Sequence, residues 1–381
     1  MANMVMVEIM KNKKITYFFQ NGRKSRLDQN DDYAKEMFYG YQYFKNIGYE
    51  TEIIEFERHK TRLGKYFFLI IEKKLRNFLK LPLYWSFISN KNNLKKIIRS
   101  DYLVFSNNRM ACSAVPMIVL TKLLGKPPKS LSFVMGLFSR TPKYIFLKFF
   151  QNLYIIWTLK SIDKFIFLSE GEYRHALSNY SKFKKKFHHL PFAVDLELWK
   201  SNNINKSDEI LFVGNDGNRD YTLAENISKN LSHLKFNFVS EFISKENLLS
   251  NSKVFKGSWG NPKLTDAQLR ELYQKARLTI IPLKESLQPS GQSVALQSIA
   301  CGTPVLITKT AGFWDNENFK DKENIFFANS NEYEYWVKTI IEILNLDSIT
   351  FNKVISNGIE TVKNNYNLNE FSKMIEKILI D

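Results

Sequence analysis

The sequence predicts an α/β protein made of two parallel-sheet domains, and three observations support this fold class. The chain has 381 residues, which is enough for two or three domains that each bury a core. Hydrophobic residues make up 44% and charged residues 24%, which is typical of a folded protein and excludes a disordered chain, a collagen-like repeat or a polytopic membrane protein. Short apolar runs alternate with amphipathic stretches along the whole chain, as β-α units require.

The apolar runs give the predicted strands. In the first half they cover 14–19, 50–56, 102–106, 131–134 and 165–168. In the second half they cover 210–213, 236–239, 278–281, 304–307 and 325–328. A loop at Asn21-Gly22 and a helix over 33–47 follow the first strand, and the polar segment 191–208 is the predicted interdomain linker. The Lys182–Lys186 run is expected to be a solvated loop.

The two cysteines indicate a reducing compartment. Cys112 and Cys301 are 189 residues apart in the sequence, with no CxxC pair and no neighbouring pair of histidines. This pattern suggests neither a disulfide framework nor a zinc site. The first 14 residues lack the charged, apolar and small-residue order of a secretion signal. We therefore expect a cytoplasmic protein.

Charge is distributed unevenly along the chain, whose formal net charge is +17. Residues 1–200 carry a net charge of +19 and residues 201–381 a net charge of −2. The densest basic stretch is 58–100, where twelve Lys or Arg accompany one acidic residue, Glu72, among many aromatic residues. The two halves are therefore expected to face different partners.

Within that stretch, residues 63–79 have the apolar spacing of an amphipathic helix. One interpretation is a helix lying on an anionic membrane surface, another is a surface helix packed on its own domain, and nucleic-acid binding is the least favoured. The membrane interpretation assigns these residues to the lipid-facing side: Phe67, Ile71, Lys73, Lys74, Arg76, Phe78 and Lys80. A second apolar stretch, 144–159, is interrupted by Lys148, Gln151 and Asn152 and is shorter than the roughly 20 residues that cross a bilayer, so it can dip into a membrane without spanning it.

Two loops of the second half suit an anionic ligand. The loop after the strand at 210–213 contains Gly214, Asn215 and Arg219, so backbone amides can approach a phosphate and a guanidinium can bind it. An ordinary turn explains the same residues. The second loop leads into a predicted helix through Ser290, Gly291, Gln292 and Ser293, whose amides can hold a diphosphate or simply cap the helix.

The run from Gln288 to Val305 resembles the donor-site signature of retaining glycosyltransferases of family 4, which have the GT-B fold. Three further segments resemble family elements in the same order: 190–195, 210–214 and 264–283. Arg219 stands where the family usually carries a lysine that binds diphosphate. The resemblance implies two Rossmann-like parallel-sheet domains facing a cleft. It implies an acceptor-binding domain over 1–192, a donor-binding domain over 193–362 and a C-terminal helix over 363–381 that packs on the first domain.

The sequence also departs from the family pattern. The two motif glutamates appear as Gln288 and Gln297, with eight residues between them where the family has seven; an ungapped alignment instead puts Pro289 at the first position. Asn215 stands where many members carry arginine. A neutral amide keeps its hydrogen-bonding capacity but loses the carboxylate charge. A non-catalytic protein that binds nucleotide sugars or glycans is therefore the alternative to an enzyme.

The resemblance implies transfer of a sugar from a nucleotide diphosphate sugar to an acceptor hydroxyl, with retention of anomeric configuration. Arg219 and the amides of 290–293 would stabilise the leaving diphosphate, Gln288 would face the transferred sugar and Gln297 the ribose. The nucleobase would lie beside 254–258, with Lys256 as a further phosphate ligand or a plain surface lysine. Because no Asp-x-Asp triplet occurs, we expect neither a metal nor another cofactor.

The acceptor is expected on the first domain, where loops after the strands cover 21–32, 106–111 and 136–140. The candidate acceptor-side residues are Gly22, Arg109, Gly136 and Arg140. Either arginine can bind an anionic acceptor or be an ordinary surface charge. The basic first half favours a lipid or lipid-linked acceptor at the inner face of the cytoplasmic membrane, with peripheral binding of the protein to anionic lipid.

Overall fold

The computed structural model describes residues 13–27, 33–56, 63–125, 127–202, 206–257 and 263–381. The chain forms two compact units. The first unit contains 1–28, 38–190 and 372–381, and the second contains 29–37 and 191–371. The second unit thus includes a short segment from the N-terminal part of the chain as well as its C-terminal half.

The first unit is built on a parallel sheet with the strand order β2-β1-β3-β4-β5-β6. The four central strands are almost entirely buried, as expected for a parallel sheet whose faces are covered by helices, whereas the two edge strands are only partly buried. The order reverses between β1 and β3, so the loops after these two strands leave the sheet side by side. The strands are β1 Lys14–Phe19, β2 Glu50–Glu55, β3 Tyr102–Phe105, β4 Lys129–Val134, β5 Lys164–Phe167 and β6 Phe187–His189.

Helices connect these strands. Helix α6, Asn108–Leu123, carries Pro116 within it and is largely buried, whereas α3, Leu63–Leu79, and α7, Ile145–Ser161, lie at the surface. The helices are α1 Lys24–Leu27, α2 Tyr41–Asn46, α3 Leu63–Leu79, α4 Trp85–Ile88, α5 Lys91–Ile98, α6 Asn108–Leu123, α7 Ile145–Ser161 and α8 Glu170–Asn179.

Two sequence-based expectations for the first half of the chain are wrong in detail, and one strand was missed. The helix predicted over 33–47 is a short 3-10 turn, Lys35–Phe38, followed by α2, because Tyr39 and Gly40 adopt positive φ angles of 52° and 83° between them. The basic run ending at Lys186 is a 3-10 turn rather than a loop, and the Lys186 ammonium donates to the Leu159 carbonyl at 2.8 Å. Strand β6 was not predicted.

The second unit is built on a parallel sheet with the order β12-β11-β10-β7-β8-β9. This is a doubly wound order, and it reverses between β7, Glu209–Val213, and β10, Leu278–Ile281. In such sheets ligands bind beyond the carboxyl ends of the strands at the reversal point. The strands are β7 Glu209–Val213, β8 Lys235–Val239, β9 Ser252–Phe255, β10 Leu278–Ile281, β11 Val305–Thr308 and β12 Phe326–Ala328.

The core of this unit includes the fully buried Trp199, Trp314 and Trp336. Trp199 belongs to the segment that the sequence suggested as a linker, so the first part of that segment is packed in the core. The helices are α9 Tyr221–Asn230, α10 Asp266–Lys275, α11 Gln292–Ala300, α12 Tyr333–Leu344, α13 Ser348–Asn365 and α14 Leu368–Ile380. The last helix contributes residues from Ser372 onward to the first unit, where Glu376 accepts a hydrogen bond from the Tyr43 hydroxyl at 2.6 Å.

The α/β class with two parallel sheets is confirmed. Nowhere in the part of the chain that the structure describes is a helix both long and apolar enough to traverse a bilayer.

Candidate functional site

The two loops singled out in the sequence meet at the reversal point of the second sheet. The amide of Asp220 donates to the Pro282 carbonyl at 3.0 Å, and the amide of Lys284 donates to the Asn218 carbonyl at 2.8 Å. The Asn218 side-chain amide then donates to the Ser290 hydroxyl at 2.8 Å. These bonds fix the loop after β7 against the loop after β10, so both belong to one site.

Arg219 lies at the centre of this junction. Its side chain is buried, at 3% exposure, and its Nη1 lies 2.9 Å from Oδ2 of the more exposed Asp216. Its Nε donates to the Val213 carbonyl at 3.3 Å. A Cβ atom on Gly214 would come within 2.8 Å of Cγ of Arg219, so only glycine leaves room for the arginine here.

The guanidinium of Arg219 also lies beside the N-terminus of α11. Gly291, the N-cap of this helix, has a φ of 79° and no side-chain cap. A Cβ on Gly291 would lie 3.5 Å from Nη1 of Arg219 and 2.8 Å from Cγ2 of Ile281. The first bond within the helix runs from the Ala295 amide to the Gly291 carbonyl, so the amides of 292–294 precede it. A guanidinium and the positive end of a helix dipole therefore converge on one place, as in anion-binding sites.

Gln292 adds an unusual feature at the same helix end. Its side chain is 4% exposed, and its Nε2 has no hydrogen-bond partner among the described residues. A buried amide group without a partner is costly, so such groups often face a ligand or a bound water.

The other residues that the sequence analysis assigned to the donor lie at the same edge of the sheet and differ in burial and in hydrogen bonding. The Asn215 side chain is committed within the protein, because it donates to the Gly257 carbonyl at 2.8 Å and accepts from the Glu241 amide at 2.7 Å. Lys256 is exposed just after β9, and Ser258, the end of the expected nucleobase segment, lies outside the described residues. Gln288 and Ser293 are half-buried.

Sequence reasoning missed a buried carboxyl group in this unit. Glu36 is completely buried, and its Oε1 accepts from Nε1 of Trp199 at 2.7 Å and from Nε2 of Gln297 at 2.9 Å. Its Oε2 lies 3.4 Å from the Asp195 amide, which donates to it. Burial raises the pKa of Glu36 to about 7, although the hydrogen bonds from Gln297 and Trp199 act in the opposite direction. The Glu36 carboxyl group thus forms hydrogen bonds that connect its own segment, 33–37, with the segment 195–199 and with helix α11.

Both the nitrogen and the oxygen of the Gln297 side-chain amide have hydrogen-bond partners within this unit. Its Nε2 donates to Glu36, and its Oε1 accepts from the Tyr273 hydroxyl at 3.4 Å. Gln297 is 4% exposed, so a contact with the ribose of a donor would have to replace one of these bonds.

The acceptor-side residues of the sequence analysis lie at the carboxyl edge of the first sheet. Gly22 follows β1 with a φ of 95°, Arg109 follows β3, and Gly136 and Arg140 follow β4. Because β1, β3 and β4 are neighbours in a parallel sheet, their loops lie along one stretch of the edge. Arg140 and Arg109 are exposed, and the Arg109 guanidinium lies 5.3 Å from the centre of the Tyr84 ring.

A second buried carboxyl group holds one of these loops. Glu172 accepts from the Gly136 amide at 2.8 Å and from the Phe138 amide at 3.0 Å. Burial raises the pKa of Glu172 to about 7, while these amides oppose the shift. Gln151 fixes the end of the loop by donating to the Arg140 carbonyl at 2.8 Å. The loop 136–140 is thus held from α7 and α8.

The residues assigned to a membrane surface are mostly exposed on or just after α3. Ile71, Lys73, Lys74, Phe78 and Lys80 are exposed, whereas the side chain of Phe67 lies outside the described residues. Arg76 is different, because its guanidinium packs on the Tyr84 ring at 4.1 Å and donates to the Leu83 carbonyl at 3.1 Å. These contacts within its own unit give Arg76 a structural role.

Comparison with solved structures shows which architecture this is. The chain resembles the glycosyltransferase of Rickettsia africae ESF-5 with a TM-score of 0.63 and 15% identity, covering 97% of this chain and 98% of that one. The chain has the GT-B fold.

Two other similar structures support the assignment. Sucrose-phosphate synthase from Thermosynechococcus elongatus matches with a TM-score of 0.67 and 12% identity, covering 96% of this chain and 98% of that one. HepE of Anabaena, solved with UDP and glucose, matches with a TM-score of 0.63 and 11% identity, and the match covers 98% of this chain and 100% of that one. No protein-family model matches the chain, and no curated protein matches it by sequence. At these identities the likeness shows the fold alone.

No group of three or more His, Cys, Asp or Glu side chains placed to hold a metal ion occurs among the residues that the structure describes.

Proposed function

We propose that this protein transfers a sugar from a nucleoside diphosphate sugar to a hydroxyl group of a membrane-associated acceptor, with retention of anomeric configuration. The observation that carries the proposal is the junction at the reversal point of the second sheet. There the buried Arg219 lies against the N-terminus of α11, beside Nε2 of Gln292, which has no hydrogen-bond partner among the described residues. This combination suits a diphosphate, which carries several negative charges and many acceptor oxygens.

The donor is a nucleotide sugar in this proposal. HepE, which shares the fold, was solved with UDP and with UDP-glucose, so a uridine diphosphate sugar is the first donor to test. The diphosphate would contact the amides of 292–294 and Arg219, with Ser290 and Ser293 at the rim. Lys256, exposed after β9, would lie toward the nucleotide end.

Stabilising the leaving group is the main chemical task of the site. The bond between the anomeric carbon and the diphosphate oxygen breaks, and a bond from the acceptor oxygen to that carbon forms on the same face. The acceptor proton passes to the leaving diphosphate, whose developing negative charge is stabilised by Arg219 and the α11 amides. Gln288 would contact the transferred sugar through its amide. This charge stabilisation is supplied by protein groups, so we propose that the reaction needs no metal.

The acceptor is proposed to be a lipid or a lipid-linked glycan at the inner face of the cytoplasmic membrane. The first unit carries the excess positive charge of the chain, and anionic lipid attracts such a surface. Loops after β1, β3 and β4, with Gly22, Arg109, Gly136 and Arg140, would receive the acceptor hydroxyl.

A thermal-shift series with UDP-, GDP- and ADP-sugars tests the donor assignment. We expect one nucleotide class to raise the melting temperature of the wild type and to have much less effect on Arg219→Ala. Equal responses of the two proteins, or no response to any nucleotide, would refute the donor site.

A second candidate function is binding of a nucleotide sugar or glycan without catalysis. It is favoured by one observation, the neutral side chains at Gln288 and Gln297, the latter already bonded to Glu36. Release of sugar from the bound donor, either to water or to acceptors in a membrane lipid extract, distinguishes the two functions. Donor binding without any turnover would favour the binding protein.

A further inference from the structure

Helix α7 exposes an apolar face to solvent. A surface helix normally turns its apolar face to the core and its polar face outward. On α7 the core side is formed by residues such as Ile155 and Leu159, and a second apolar face covers an arc of about 140° on the outside, at 100° per residue. Its residues are between 38% and 84% exposed: Ile145, Phe146, Phe149, Phe150, Leu153 and Trp157.

This face adjoins exposed apolar residues of α3. The ring of Trp85 lies 6.4 Å from the ring of Phe68 on α3 and 6.1 Å from the ring of Tyr154 on α7. Trp85 also donates to the Tyr154 hydroxyl at 2.9 Å. Phe68 and Phe78 of α3 are 46% and 58% exposed. Apolar patches of this extent mark interaction surfaces in folded proteins.

The residues around this apolar patch are strongly basic, which favours a partner with negative charge. Residues 63–161 contain seventeen Lys or Arg and two acidic residues, Glu72 and Asp101. Glu72 is buried and accepts from the amide and hydroxyl of Ser86 at 2.8 and 3.0 Å, while Asp101 accepts from the Lys14 amide at 2.7 Å. Neither α3 nor α7 therefore presents an exposed carboxylate. A second copy of this chain would bring like charges together, whereas an anionic bilayer offers both negative charge and an apolar interior.

We propose that the outer faces of α3 and α7 insert into the surface of an anionic lipid bilayer. Phe146, Phe149 and Phe150 enter the acyl region, and the exposed Lys73, Lys74, Lys143 and Lys148 extend to the lipid phosphates, as long cationic side chains do at interfaces. The inference deepens the proposed function and rests on it for the claim that the acceptor lies in the same membrane. It moves the main contact from α3, where the sequence suggested it, to α7.

Co-sedimentation of the full chain with phosphatidylcholine vesicles, with and without phosphatidylglycerol, tests the proposal. The wild type should bind the anionic vesicles at low salt. A variant with Phe146, Phe149 and Phe150 changed to Ser should bind about a hundredfold or more weakly, because three large apolar side chains are lost from the inserted face. The matched control, Phe242→Ser with Ile349→Ser, removes exposed apolar residues of the second unit and should bind as the wild type does.

A second measurement does not depend on the folding of a triple variant. Lipids with brominated acyl chains should quench the fluorescence of the wild type more than that of Trp157→Phe, because Trp157 lies on the inserted face. Equal quenching, or undiminished vesicle binding by the triple variant, would overturn insertion through α7. Loss of a dimer in the triple variant, with no vesicle binding by the wild type, would assign the face to a second copy instead.

The proposed function is tested separately on the same proteins. The triple variant should keep the melting-temperature rise produced by the donor nucleotide, since the altered residues lie in the first unit. Donor binding without vesicle binding would overturn the membrane surface alone. Vesicle binding without a donor response would overturn the proposed donor site alone.

Discussion

Glu36 should make the protein less stable as the pH rises toward neutrality. Burial raises the pKa of its carboxyl group to about 7, whereas the same group in the unfolded chain titrates near 4.5. Between these values the folded protein holds a proton that the unfolded chain releases. The free energy of unfolding therefore falls with increasing pH in this window, and the contribution is complete below it and lost above about pH 7.

The size of the effect follows from the same two values. One pKa unit corresponds to about 1.4 kcal/mol, so the interval from 4.5 to about 7 gives a change of about 3 kcal/mol. This is a substantial part of the usual stability of a folded protein, about 5 to 15 kcal/mol.

Glu36→Gln isolates this contribution. The glutamine keeps a carbonyl oxygen that can accept from Trp199 and Gln297, as Oε1 of Glu36 does, but it does not titrate. Urea unfolding at a series of pH values between about 5 and 8 should show the variant gaining about 3 kcal/mol relative to the wild type as the pH rises. Glu172, whose pKa is also raised to about 7, titrates in both proteins, so its contribution cancels.

The exposed Glu360 of α13 provides the control, since Glu360→Gln should follow the wild type at every pH. If the wild type and Glu36→Gln have parallel stability curves across this range, the carboxyl group of Glu36 is not protonated in the folded protein and the reasoning is refuted.

Three further predictions concern the donor site. Arg219→Ala should weaken binding of the nucleotide sugar by about 1.5 to 3 kcal/mol, measured by calorimetry, because a charge-assisted hydrogen bond is lost; unchanged affinity removes Arg219 from the site. Gly214→Ala should weaken binding of the nucleotide sugar by a similar amount, because the added methyl group displaces Arg219. The double variant with Arg219→Ala should bind about as weakly as Arg219→Ala alone, whereas losses that add up would give Gly214 a separate role. Gln297→Glu should lower the melting temperature above pH 7, because it places a second carboxylate where Nε2 now lies 2.9 Å from Glu36; an unchanged melting temperature would contradict the Glu36 contact.

The central strands of both sheets could be predicted from the sequence because they are buried on both faces and form continuous apolar runs. The bounds of β1 and β10 agree with the prediction residue for residue. The missed strands, β6 and β9, are both edge strands. Each is short and contains polar residues, such as His188 and Lys253, because an edge strand is less completely covered.

The loops after β7 and β10 could be located because glycines at special positions leave a local signal. Gly214 is required by the side chain of Arg219, and Gly291 by its positive φ and by the nearby Ile281. The contacts that each side chain makes could not be predicted from such a local signal. Asn215 bonds to loops after β8 and β9, and Arg76 packs on an aromatic ring, so both depend on residues that only the fold brings near.

The glutamine at 297 is the clearest case of chemistry that depends on a distant residue. From the sequence resemblance alone, Gln297 is expected to stand at the position of a family glutamate, without its charge. In the folded unit its Nε2 donates to Glu36, 261 residues away in the sequence, which a carboxylate at 297 could not do. Two buried carboxyl groups at this distance would share a proton or repel each other. The neutral amide at 297 and the carboxyl group at 36 are therefore complementary, and the packing of 33–37 into the second unit explains why an amide suits position 297.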